Sequence, residues 1–140
     1  MKELKSVFSR EELTENAVKL LKKLIATPSM SRDEYNVSLI IEGFFNEHQL
    51  TVNRFKNNIW ATNKHFDAGK PSILLNTHHD TVKPNKAYTL DPFIPVEKEG
   101  KLFGLGSNDA GASLVAMAQT FLYFYEAEDL THNLVIALTA

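Results

Sequence analysis

Segments with a helical repeat of apolar residues alternate along this chain with apolar runs too short to be helices, and this alternation restricts the fold more tightly than any other feature. Leu13, Ala17, Leu20, Leu21, Leu24 and Ile25 recur at helical spacing, with Glu12, Glu15, Lys19, Lys22 and Lys23 between them. That spacing predicts an amphipathic helix, stopped near Thr27 by Pro28. Ser31 followed by Glu34 reads as a capping box opening a second helix through Tyr35, Leu39, Ile40 and Phe44. From Leu50 the character changes. Leu50, Val52 and Phe55 suit a strand, Asn57 and Asn58 a turn, and residues 59–62 its return. The run at 72–77 predicts a short strand buried on both faces, ending in His78, His79 and Asp80.

Residues 94–96 and 101–103, joined through Glu99 and Gly100, predict a small hairpin. Residues 110–126 are strongly helical, and 134–138 form a last apolar run. The resulting order, two helices, three strands, a hairpin, a helix and a strand, argues for an α/β fold in layers with helices packed on a sheet. Ligands of open α/β sheets gather beyond the carboxyl ends of the strands, where His78, His79 and Asp80 stand. One core is within reach of 140 residues.

Charge and composition remove several function classes. A net charge of -2 with scattered basic residues leaves no electrostatic footprint for nucleic acid. Residues 1–10 alternate charged and apolar side chains without the apolar core of a signal peptide, and no apolar run approaches a membrane span. The expectation is a cytoplasmic protein with no membrane partner. Cysteine is absent, so any metal must be held by His, Asp or Glu.

Two motifs carry chemistry. In an extended segment alternate side chains share a face, so His78 and Asp80 point the same way and His79 the other. A carboxylate so placed accepts the imidazole N–H and orients a metal-bound histidine; two polar residues at a solvated strand end would look the same. The second motif is Gly104-Leu105-Gly106-Ser107-Asn108-Asp109-Ala110-Gly111, just before a helix. A dinucleotide-binding turn fails here, because Asp109 occupies the position where that motif needs glycine and would repel a pyrophosphate. Two readings of Asp109 remain: a helix N-cap, or a metal ligand whose two oxygens bridge a pair of cations. His48, His65 and His132 sit in contexts typical of surface or locally bonded histidines, Asp91-Pro92-Phe93 is a turn with Phe93 as a core anchor, and no Gly-x-Ser-x-Gly elbow is present.

Taken together, Leu74-Leu75-Asn76-Thr77-His78-His79-Asp80-Thr81-Val82 and the turn carrying Asp109 resemble the zinc hydrolase family of acetylornithine deacetylase, succinyl-diaminopimelate desuccinylase, aminoacylase and glutamate carboxypeptidase. Asp91-Pro92-Phe93 between them and Thr27-Pro28-Ser29 after the first helix also fit that pattern. The resemblance implies a layered α/β/α catalytic domain of the zinc-aminopeptidase type, of which residues 1–140 would be the N-terminal part. It implies that His78 and Asp109 are metal ligands, Asp109 bridging two ions, that Asp80 orients His78, and that the Asp109–Ala110 peptide bond is cis. The cofactor would be two Zn2+ ions, with Co2+ or Mn2+ as substitutes. The family next places a general-base glutamate beside a metal-binding one, after the strand that here reaches Ala140, and then a lid domain that forms a homodimer. Within the family the motifs most resemble arginine-biosynthetic deacylases, whose small-molecule substrates are N-acetylornithine, N-acetylcitrulline or N-succinyl analogues. A dipeptidase or aminoacylase of the same family, and a non-catalytic α/β module, remain the alternatives.

Overall fold

The computed structural model describes residues 8–140; residues 1–7, part of the stretch read above for a leader, lie outside the described residues. The expected order of elements is present. Helix α1 spans Arg10–Ile25, α2 Tyr35–Glu47 and α3 Ala112–Phe124; strands β1 (Asn53–Phe55), β2 (Asn58–Thr62), β3 (Ser72–His78) and β6 (Asn133–Thr139) form one sheet, and β4 (Val96–Lys98) pairs with β5 (Lys101–Phe103).

The sheet runs β1-β2-β6-β3, antiparallel except that β3 and β6 lie parallel in the register Ser72↔Asn133 to His78↔Thr139. Parallel neighbours cannot be joined by a tight turn, so the chain leaves β3, makes the hairpin and returns through α3, which packs against both strands. Period-two alternation decides which face is buried. Ile59 and Ala61 of β2 and Leu134, Ile136 and Leu138 of β6 are buried with Leu20, Leu24 and Ile25 of α1, Ile41 and Phe45 of α2, and Leu114, Ala118 and Phe121 of α3 in a single core. On the opposite face Trp60 and Leu74 are exposed.

Several local expectations are corrected. The capping box belongs to α1: the Ser9 hydroxyl accepts the Glu12 N–H at 3.1 Å and the Glu12 carboxylate accepts the Ser9 N–H at 2.8 Å. Ser31 and Glu34 make no such box, and α2 begins without a side-chain cap. The buried Glu34 instead accepts from the Arg32 N–H and, at 3.0 Å, from the Asn57 amide. The β1–β2 turn falls at Lys56 and Asn57, one residue earlier than expected, because Asn58 pairs with Phe55 and its side chain accepts the Ala140 N–H. Strand β3 is not buried on both faces: it lies at the sheet edge, and Ile73 and Leu74 are exposed. Phe93 is half-buried beside its turn and not part of the core.

The hairpin through Glu99 and Gly100 forms, with positive φ at both residues, the geometry of a type I′ turn, but its first strand is Val96–Lys98 and not 94–96, because the tight turn pairs Lys98 with Lys101. Asn133 fixes the loop into β3. Its side chain, 1% exposed, accepts the Asp67 N–H and donates to the carbonyls of Asp67 and Lys70.

Candidate metal centre

His78 ends β3, and the chain continues beside the end of β6, where the His79 N–H donates to Thr139 O at 2.9 Å. The loop after α1 secures the next residues: the Thr81 N–H donates to Ser29 O at 2.7 Å and the Ser31 N–H to Thr81 O at 3.3 Å. Asp80 is therefore held between two backbone anchors. With a proton on Nδ1, His78 donates to Asp80 Oδ1 at 3.0 Å and shares that proton with Asp80 O at 3.1 Å.

Asp109 arrives from the other side on the glycine-rich turn. Gly106, at φ 73, reverses the chain where a Cβ would lie 2.6 Å from Thr81 Cγ2. The Gly111 N–H closes the turn on Gly106 O at 2.9 Å, and the Asp109–Ala110 peptide is cis, as the resemblance implied. The helix-cap reading of Asp109 fails, since α3 starts at Ala112 with no side-chain cap. Asp109 Oδ1 stands 3.2 Å from His78 Nε2.

His78 is thus flanked by carboxylates on both ring nitrogens. A neutral imidazole has one N–H and can satisfy only one of them, so the Nε2–Asp109 side calls for a second cation: a proton, or a metal ion. Burial by itself would lower the His78 pKa; hydrogen bonds from the ring to the Asp80 carbonyl and the Asp109 carboxylate, with the charge of Asp80, outweigh it and hold the pKa above the usual histidine value. Asp80 is shifted the other way, chiefly by the Ser31 hydroxyl against the opposing effect of burial, with His78 adding to the lowering.

The donor set suits a borderline cation. Two ligands of a tetrahedral zinc with bonds of about 2.0–2.2 Å stand roughly 3.4 Å apart, close to the His78–Asp109 separation. Both side chains are open to solvent, at 44% and 87% exposure. Among the described residues no group of three His, Asp or Glu side chains converges to hold a metal, because Asp80 engages the far nitrogen of His78.

The other histidines fall where the sequence put them, outside the centre. His79 is 6% exposed, with Nε2 donating to Asn57 O at 3.0 Å, and burial lowers its pKa. His48 bonds Phe44 O at the end of α2, and His132 bonds Thr131. Sequence reasoning missed Ser31, whose hydroxyl donates to Asp80 Oδ2 at 2.5 Å across 49 positions of sequence. No local signal announces such a contact.

The α/β scaffold that carries this pair has known counterparts. It matches the dipeptidase Dug1p of Saccharomyces cerevisiae with a TM-score of 0.72 at 18% identity, over 93% of this chain and 33% of that one. It also matches a dinuclear metal-binding M20 peptidase of Bacillus subtilis with a TM-score of 0.65 at 16% identity, over 93% of this chain and 36% of that one. These likenesses define the fold as that of M20 metallopeptidase domains. Residues 74–140 match the model of peptidase family M20/M25/M40, and this chain belongs to that family. Among curated relatives, succinyl-diaminopimelate desuccinylase of Sulfurovum sp. (strain NBC37-1) is 32% identical over 127 residues, 89% of this chain and 33% of its own length. Acetylornithine deacetylase of Proteus mirabilis (strain HI4320) is 38% identical over 138 residues, 88% of this chain and 35% of its own length. The chain spans about a third of the length of the curated relatives it matches.

Proposed function

We propose that residues 1–140 form the N-terminal part of the catalytic domain of a metal-dependent hydrolase that cleaves the N-acyl amide of an amino acid. The observation that carries this reading is the approach of His78 Nε2 to Asp109 Oδ1, 3.2 Å, at the carboxyl end of β3. The two curated relatives, a desuccinylase and a deacetylase, support an acetyl or succinyl group as the acyl moiety. Arginine biosynthesis, two zinc ions and a homodimer belong to the same proposal and rest on the motif resemblance; a cytoplasmic location belongs to it on the sequence pattern read above.

In this reading His78 and Asp109 would hold the metal, which would supply Lewis-acid chemistry for the scissile carbonyl and for a water molecule. Asp80 keeps the imidazole in the tautomer whose Nε2 lone pair faces Asp109. The turn from Gly104 to Gly111 fixes Asp109 through its contact with Thr81, so both donors are set by backbone that cannot slide independently. Open exposure of both side chains leaves room for substrate on the solvent side.

The test is hydrolysis of N-acetylornithine and of N-succinyl-diaminopimelate by the protein that contains this segment, with and without zinc. Zinc-dependent release of a free amine from one of them, abolished by His78→Ala and by Asp109→Ala with the fold intact, is expected. Equal turnover by wild type and both variants would refute the reading.

A further inference from the structure

We infer that Ser31 is a positioning residue: its hydroxyl holds the Asp80 carboxylate in the orientation that keeps His78 protonated on Nδ1 and leaves Nε2 free to bind a cation. The inference rests on the proposed function only for the purpose of that arrangement; the arrangement itself is a statement about one hydrogen-bond chain.

The chain runs from Ser31 Oγ to Asp80 Oδ2 at 2.5 Å, and from Asp80 Oδ1 to His78 Nδ1 at 3.0 Å. A carboxylate fixed at one oxygen cannot turn the other away from the ring. Ser31 cannot drift either, because the Ser31 N–H donates to Thr81 O and the Thr81 N–H to Ser29 O, one bond on each side of Met30, which forms a parallel bridge with Thr81. The loop after α1 is thereby tied to the segment that follows β3.

The hydroxyl matters because His78 has a competing choice. Asp109 can accept a proton on Nε2 in competition with Asp80 at Nδ1. The neutral ring therefore divides between two tautomers according to how well each acceptor is held. Asp80 is pinned by Ser31 and is only 26% exposed, whereas Asp109 is 87% exposed and its acceptor is weakened by water. Releasing Asp80 removes part of that bias. It does not remove all of it, since Asp80 O also accepts from Nδ1 at 3.1 Å.

Ser31 is exposed and contributes nothing to the core, so Ser31→Ala retains the fold. The experiment compares wild type, Ser31→Ala and Ser31→Thr in metal-free form, at a pH where His78 is neutral. Nitrogen-15 shifts of the His78 ring give the ratio of the two tautomers, and zinc affinity is then measured calorimetrically on the same samples. Wild type is expected to be mainly the Nδ1–H form. Ser31→Ala should shift the ratio several-fold toward Nε2–H and weaken zinc binding on the order of tenfold, the low end for losing an outer partner of a metal-binding histidine. Ser31→Thr should restore both.

A wild-type ratio in Ser31→Ala overturns the inference whatever happens to zinc. Failure of Ser31→Thr to restore the ratio also overturns it, because the hydroxyl itself is held to act. If the ratio shifts as expected while His78→Ala leaves zinc affinity unchanged, the positioning role stands and the metal reading falls.

Discussion

Adding one methyl group at Gly111 tests whether the turn that carries Asp109 is packed as described. Gly111 has ordinary helical dihedrals, φ -57 and ψ -44, so alanine is not excluded by backbone conformation. A Cβ there would lie 2.5 Å from Gly106 O and 2.7 Å from Leu21 Cδ1. Leu21 can shift slightly, but Gly106 O is backbone and already accepts the Gly111 N–H at 2.9 Å. Overpacking of this kind costs about 1–3 kcal/mol. Lengthening the turn's closing hydrogen bond adds about 1 kcal/mol. The reduced freedom of the unfolded chain returns about 0.5–1 kcal/mol. The net expectation for Gly111→Ala is a loss of about 2 kcal/mol. Gly43, within α2, has nothing within 4 Å of its would-be Cβ and serves as the control; Gly43→Ala should gain about 0.5–1 kcal/mol. Urea unfolding read at equal slope gives both values. A Gly111→Ala protein as stable as Gly43→Ala would show that the turn does not lie against α1 as described.

His79→Ala should leave zinc affinity unchanged while lowering stability by about 1–3 kcal/mol, because it strips a buried donor from Asn57 O; paired calorimetry and urea unfolding read the two effects separately. Asn133→Ala removes one acceptor and two donors from backbone groups of Asp67 and Lys70, and a loss of about 3 kcal/mol is expected in the same unfolding assay. Ser9→Ala should cost about 1 kcal/mol through loss of the α1 cap, while Glu34→Gln should leave the start of α2 unchanged by hydrogen exchange, since that helix has no side-chain cap. The 140-residue chain alone should hydrolyse neither acyl substrate at a measurable rate, because among the described residues no third His, Asp or Glu joins His78 and Asp109 as a donor.

The element order was legible because periodicity is a local property: α1 and α3 carry apolar residues at helical spacing, and β6 buries Leu134, Ile136 and Leu138 at a spacing of two. Placement within the sheet was not local. The composition of β3 suggests a central strand, yet its position beside β6 at the sheet edge is set by pairing 61 residues away in sequence. His78 and Asp80 could be put on one face from strand alternation, but β3 ends at His78, and the 3.0 Å contact depends on the bonds of His79 and Thr81 that hold Asp80 beyond the strand. The Ser31–Glu34 spacing was misleading for a physical reason. Both side chains are engaged otherwise, Ser31 by the distant Asp80 and Glu34 by the neighbouring Arg32 N–H and the distant Asn57 amide, and neither is left to form the cap. Asp109 was ambiguous between cap and ligand until the turn showed that α3 begins three residues later.

Anomalous diffraction from crystals of the zinc-loaded protein addresses the shared cation directly. A zinc peak is expected about 2.0–2.2 Å from His78 Nε2 and from an Asp109 carboxylate oxygen, with the His78 Nδ1–Asp80 contact preserved. Zinc bound at His48, His65 or His132, with His78 and Asp109 left in direct hydrogen-bond contact, would contradict that placement.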